Sequence, residues 1–104
     1  MIAEDQVLLR DGVARLLGDA GHVVVSQVGD GRSLVAEVNV ERPDLVIADI
    51  RMPPSYTDEG ARAVAYLRVA YPQLAVVILS EVVEPSLLAG LMAGQTRAFG
   101  YLLK

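Results

Sequence analysis

Hydrophobic positions along this chain follow two alternating patterns. Short apolar runs occur from Met1 to Ala3, Leu45 to Ala48, Ala75 to Leu79 and Phe99 to Leu103. A valine-rich stretch from His22 to Val28 is interrupted by Ser26 and Gln27, as suits a strand near a sheet edge. Between these runs, apolar residues recur at helical spacing. Val7, Leu9, Val13, Leu16 and Leu17 lead up to Gly21, which stands where a helix usually stops. Leu34, Val35 and Val38 follow Asp30, a residue able to cap a helix, and precede Pro43. Val64 and Leu67 follow Thr57, Asp58 and Glu59, which offer a capping hydroxyl and negative charge, and Tyr71-Pro72 closes that segment. Leu88, Leu91 and Met92 share a face between Pro85 and Gly94. Apolar runs without alternation are typical of central strands of a parallel sheet, buried on both faces. The order βαβαβαβαβ predicts a doubly wound α/β domain.

Composition narrows this picture. The 104 residues allow one domain with a modest core, and 53% hydrophobic against 21% charged residues excludes a disordered chain. A net charge of -4, with nine scattered basic residues, argues against nucleic-acid binding by this segment. The absence of cysteine removes disulfides and thiolate metal sites and fits a reducing compartment. MIAEDQ lacks the character of a signal peptide, and no stretch has membrane-spanning length, so the expected location is the cytoplasm. Both ends look cut: the first strand has about three residues where about five or six are usual, and the chain stops where a covering fifth helix would be expected. The sheet near Phe99 and Tyr101 is therefore expected to be under-covered.

In an open parallel α/β sheet, ligands bind at the carboxyl ends of the strands. Four strands here end in polar residues at that edge: Glu4-Asp5, Asp49, Ser80 and Lys104. If the first and third strands are neighbours, about 4.8 Å apart, three carboxylates crowd one crevice and repel each other unless a cation is present. Oxygen-only donors point to a hard ion, and Mg²⁺, which retains waters and needs few protein ligands, fits best. A lysine and a hydroxyl opposite would suit a phosphoryl group.

The ordered set of AED, ADIRMP, VILS and GYLLK resembles the receiver domain of bacterial two-component response regulators, over all 104 residues. MPPSYTDEG and the terminal GYLLK are similar to the branch whose output domain is a LuxR-type helix-turn-helix. The resemblance implies a flavodoxin-like strand order 2-1-3-4-5 and a receiver domain spanning 1-104. It implies that Asp49 accepts a phosphoryl group from the phosphohistidine of a sensor histidine kinase. It further implies that Mg²⁺, or Mn²⁺, is held by Glu4, Asp5, Asp49 and the backbone carbonyl of Arg51. Lys104 would pair with a phosphoryl oxygen, Ser80 would move to bond another, and Tyr101 would be the switch aromatic behind it. The fourth helix and fifth strand would form the output surface. Beyond the kinase, the implied partners are the chain's own DNA-binding output domain and a second copy in a homodimer, with catalysis limited to its own phosphorylation and dephosphorylation. Glu81 departs from the family, which has a small residue there.

Each of these residues also has a blander structural reading. Asp49 could cap a loop, Glu4-Asp5 could cap the first helix, Ser80 could be an ordinary strand-end hydroxyl, and Tyr101 could simply pack at a sheet edge. His22 reads as a surface residue. Gly29-Asp30-Gly31 begins like a dinucleotide fingerprint, but Leu34 stands at its third glycine. No phosphate-binding Gly-x-x-x-x-Gly-Lys loop occurs, and an aspartyl phosphatase would want a second acid where Arg51 stands. An interaction module that keeps the fold without phosphorylation is the alternative function.

Overall fold

The computed structural model describes residues 1–81 and 99–104. The expected fourth helix, with Pro85, Leu88, Leu91, Met92 and Gly94, lies outside the described residues. The elements are β1 (Ile2–Ala3), α1 (Val7–Asp19), β2 (Gln27–Val28), α2 (Gly31–Glu41), β3 (Leu45–Asp49), α3 (Glu59–Ala70), β4 (Ala75–Ser80) and β5 (Phe99–Leu103). The five strands form one parallel sheet in the order β2-β1-β3-β4-β5, as expected. β1 therefore lies beside β3, with Ala3 opposite Ala48, which carries Glu4 and Asp5 to the end of the sheet where Asp49 emerges.

The central strands are apolar because they are covered on both sides. Val46, Ala48, Val76 and Ile78 are buried in the sheet, and Leu34 and Val38 of α2 with Val64 and Leu67 of α3 pack into the same core. At about 25 cal/mol per Å² of apolar area, each of these valine, leucine and isoleucine side chains contributes roughly 1.5–3 kcal/mol relative to exposure. α2 starts where Asp30 accepts a hydrogen bond from the Ser33 amide (2.7 Å) and ends at Arg42 in a left-handed conformation (φ 48°). Asp30→Ala is expected to cost about 1 kcal/mol, read as a lower denaturation midpoint; an unchanged midpoint would remove the cap from the account.

Two sequence expectations need correction. The strand expected from His22 to Val28 forms only at Gln27–Val28, because the ladder of this edge strand is limited by the two residues of β1 that it pairs with. Val23 and Val25 are accordingly exposed, and His22 lies on the surface as expected. In α1, Leu9, Val13 and Leu17 are half-buried but Val7 and Leu16 are exposed, and no residue of this helix is fully buried. The second correction concerns the start of α3. Asp58 is its N-cap without a side-chain capping bond, and the Thr57 hydroxyl bonds Ser55 and Asp58 instead. On the expected under-covered face, Phe99 and Tyr101 are half-buried against the core, whereas Leu102 and Leu103 are exposed. Arg68, buried on α3, places its guanidinium 4.9 Å from the centre of the Phe99 ring. Among the described residues, no helix is long and apolar enough to cross a membrane.

Candidate functional site

Parallel pairing decides which side chains meet. Asp49 is opposite Leu79 and Ser80 is opposite Leu103, so the last residues of β3, β4 and β5 form a step along one sheet edge. The Lys104 amide donates to the Ser80 carbonyl (2.7 Å), which fixes the lysine just beyond the end of β5. Its ammonium then reaches across the sheet to Asp49 Oδ2 (2.9 Å) and Glu4 Oε1 (2.7 Å). Glu4 is fully buried and Asp49 nearly so, and buried carboxylates require such a partner. Burial lowers the Lys104 pKa, but hydrogen bonds to Glu4 and Asp49 outweigh that and hold it above the ordinary lysine value. The remaining oxygen of Glu4 accepts from the Gln6 amide (3.2 Å), and Arg10 donates to the Glu4 backbone carbonyl (3.1 Å).

Asp5 completes an acidic group. One carboxylate oxygen from each of Glu4, Asp5 and Asp49 lies within 4.8 Å of the others. Burial, followed by a hydrogen bond with Glu4, raises the Asp5 pKa, a consequence of the same crowding. Three converging oxygen donors, one of them half-exposed to an open cavity, fit a hard divalent cation that keeps several waters. The cavity is about 320 Å³ and is lined by Asp5, Gln6, Asp49, Arg51, Tyr56, Ser80, Glu81 and Lys104. Arg51 is exposed, and its backbone amide points to Asp49 Oδ1 (3.4 Å). Ser80 is buried at the cavity wall, and Glu81 is exposed at it. Tyr101 stands two pairing steps back from this edge, opposite Ile78 and against the core.

Two contributors were not singled out in the sequence. Gly60 packs so closely that a Cβ there would lie 1.7 Å from the Asp49 carbonyl oxygen. Its amide donates to the Ile50 carbonyl (2.8 Å), so α3 starts flush against the strand that bears Asp49. A glycine just inside a helix start was the available signal. Tyr56 has a positive φ (57°), uncommon for a bulky residue, and its amide donates to the Met52 carbonyl (3.0 Å), which folds the loop over the cavity. The Pro53–Pro54 peptide bond in that loop is cis.

Glu59 stabilises the same loop. It accepts from the Ser55 hydroxyl, the Ser55 amide (2.8 Å) and the Thr57 amide (3.1 Å), and the Ser55 bond leads in lowering its pKa from 4.5 to about 2. A depressed carboxyl pKa makes this contribution complete above 4.5 and lost as pH falls towards 2. The Glu59 carboxyl carbon, followed by NMR, is expected to titrate well below the ordinary range and to return towards it in Ser55→Ala. An ordinary value in the unmutated chain would contradict the loop's hydrogen bonding.

Comparison with known families decides what this edge belongs to: residues 1–104 match the response regulator receiver domain. The chain belongs to that family. It is thus a receiver domain of the two-component type, and its relatives include transcriptional regulators. The receiver is 35% identical over 101 residues to the transcriptional regulatory protein PdtaR of Mycobacterium tuberculosis, covering 95% of this chain and 49% of that protein. It is 32% identical over 105 residues to the transcriptional regulatory protein NarL of the same organism, covering 100% and 46%. The solved signal receiver domain of that NarL superposes with a TM-score of 0.79 at 31% identity, covering 98% of this chain and 79% of the other. The receiver spans about half the length of these curated relatives.

Proposed function

We propose that Asp49 is the phospho-acceptor of this receiver and that Glu4, Asp5, Ser80 and Lys104 serve the transfer. What supports the reading most is the ammonium of Lys104 bridging Asp49 and Glu4 beside Asp5, at the wall of a cavity open to a donor. The Asp49 carboxylate attacks the phosphorus of a sensor-kinase phosphohistidine. An oxygen–phosphorus bond forms, the phosphorus–nitrogen bond breaks, and imidazole leaves. Mg²⁺, or Mn²⁺, held by the carboxylates of Glu4, Asp5 and Asp49 and the Arg51 carbonyl, offsets the charge of the transferring group when bound.

Lys104 exchanges an Asp49 oxygen for a phosphoryl oxygen and keeps its pairing with Glu4. The Ser80 hydroxyl donates to another phosphoryl oxygen, and Tyr101 fills the space behind it. The change is read out on β5, an element biased by these contacts. An output domain of the LuxR type, controlling transcription in the cytoplasm, and a homodimer complete the proposal.

Incubation with a small phosphodonor and Mg²⁺ is expected to give a single phosphoryl adduct by intact mass. Absence of any adduct would instead favour an interaction module that works without phosphorylation. Asp5→Ala is expected to weaken Mg²⁺ binding by about tenfold or more and to slow phosphorylation, as loss of a donor at a metal site does. Unchanged affinity, measured by fluorescence or calorimetric titration, would take Asp5 out of the ligand set.

A further inference from the structure

The cavity at the strand ends has a floor and a rim. Asp49 and Ser80 are buried in the floor, where the Lys104 ammonium also lies on a side chain only 12% exposed. Gln6, Arg51, Tyr56 and Glu81 are exposed and form the rim. Three of these four carry a charge or an amide. Tyr56 is the one aromatic residue among the described lining, it takes no part in the hydrophobic core, and 53% of its surface is open.

Tyr56 is held firmly where it stands. Its φ of 57° lies in the left-handed region, which glycine and asparagine enter more readily than a bulky residue does. Several hydrogen bonds impose that conformation. The Tyr56 amide donates to the Met52 carbonyl (3.0 Å), and Glu59 accepts from the amides of the two flanking residues, Ser55 (2.8 Å) and Thr57 (3.1 Å). A tyrosine on so constrained a backbone has two side-chain torsions left to settle, and therefore offers a large contact surface at low entropic cost.

The direction of the transfer determines what this ring meets. In-line displacement puts the attacking oxygen and the leaving group on opposite sides of phosphorus. With Asp49 in the floor as the acceptor, the reading on which this inference rests, the leaving group faces outward to the rim. We infer that Tyr56 packs its ring against the imidazole of the phosphohistidine donor and so selects a flat heteroaromatic leaving group over a non-aromatic one. Offset or edge-to-face stacking suits two such rings, and no other described rim residue presents an aromatic face. The phosphoryl contacts in the floor are shared by every donor, whereas the contact with Tyr56 is made by an aromatic donor alone.

Two small donors separate these contributions. Monophosphoimidazole and phosphoramidate both carry phosphoryl on nitrogen, the first with an aromatic ring and the second without. In each, a bond forms between the Asp49 oxygen and phosphorus as the phosphorus–nitrogen bond breaks. The nitrogen keeps the bonding pair, and the proton the donor already carries lets it depart as neutral imidazole or ammonia. Rate constants for adduct formation on the whole chain, with Mg²⁺ and intact mass as the readout, give the ratio of the two donors. Tyr56→Gly is expected to lower the ratio of monophosphoimidazole to phosphoramidate roughly three- to tenfold, the scale of one aromatic contact, through loss of the monophosphoimidazole rate alone. Glycine suits the left-handed backbone, so the thermal melt is expected to hold; Tyr56→Asn, which also tolerates that conformation, is expected to behave alike. Tyr56→Phe is expected to keep the ratio, because the ring and not the hydroxyl makes the contact. An equal loss with both donors would give Tyr56 a purely structural role and overturn the inference. An unchanged ratio in the folded glycine and asparagine variants, or a phenylalanine variant that behaves like glycine, would overturn it as well. Absence of an adduct from either donor on the unmutated chain would instead remove Asp49 as the acceptor, and the selection by Tyr56 with it.

Discussion

With Asp49 as the proposed acceptor, Asp49→Asn is expected to abolish the phosphoryl adduct while the domain stays folded. The amide has nearly the shape of the carboxylate but no anionic oxygen to attack phosphorus, so the loss is of the nucleophile itself and not of a tuning group. Folding should survive because the buried charge left behind is still paired: Lys104 keeps Glu4 at 2.7 Å when Asp49 is neutral. The Arg51 amide also retains an oxygen acceptor at position 49, in place of the Oδ1 it now approaches at 3.4 Å. The change in stability is therefore expected to stay within about 1–2 kcal/mol, the ordinary range for a substitution that neither opens a cavity nor strands a charge. Intact mass after treatment with a phosphodonor and Mg²⁺, together with a thermal melt, measures both halves. An undiminished adduct on the asparagine variant would place the acceptor elsewhere.

Gly60→Ala is expected to be the most damaging small substitution in the described structure. The added methyl would lie 1.7 Å from the Asp49 carbonyl oxygen, 2.8 Å from its carbon and 2.9 Å from the Ile50 oxygen, and all three are backbone atoms that cannot rotate away. Either α3 withdraws, breaking the Gly60 to Ile50 hydrogen bond and opening the core at Val64 and Leu67, or β3 moves and takes Asp49 with it. Overpacking of this kind costs about 3 kcal/mol or more. In a domain of this size each kcal/mol corresponds to roughly 4–8 °C, so the melting temperature should fall by more than about 10 °C. A melt within about 2 °C of the unmutated chain, on the same scale, would mean that α3 does not sit where it is described.

Both predictions turn on the same strand, and that strand was legible in the sequence while its contact with Gly60 was not. Leu45 to Ala48 and Ala75 to Leu79 could be read as central strands because burial on both faces removes polar residues from the run itself. Asp30 could be read as a cap because its partner, Ser33, is three residues away. The meeting of Glu4, Asp5, Asp49 and Lys104 was accessible too, since strand order alone brings their strand ends together. What escaped depends on neighbours distant in sequence. The length of β2 is limited by β1, and the exposure of Val7 and Leu16 depends on what packs beside α1, not on the period of its own residues. Thr57 has the composition of a cap, yet Glu59 draws the amides of Ser55 and Thr57 to itself and the loop closes differently. The positive φ of Tyr56 has no local signature, since nothing about tyrosine favours it.

The pairing of Ser80 with Leu103, followed at once by the bond from the Lys104 amide to the Ser80 carbonyl, carries a consequence for how this receiver can vary. Within Ala75–Leu79, volume-conserving exchanges among valine, isoleucine and leucine keep the buried face apolar and are expected to cost no more than about 1.5 kcal/mol each. A single residue inserted into or deleted from the same run is another matter: it preserves the apolar character and turns each side chain beyond it to the opposite face. Ser80 would leave the cavity wall and Lys104 would lose its anchor opposite it. At this edge, counting outranks spelling: the chain can tolerate drift in which apolar residues it uses far more easily than drift in how many.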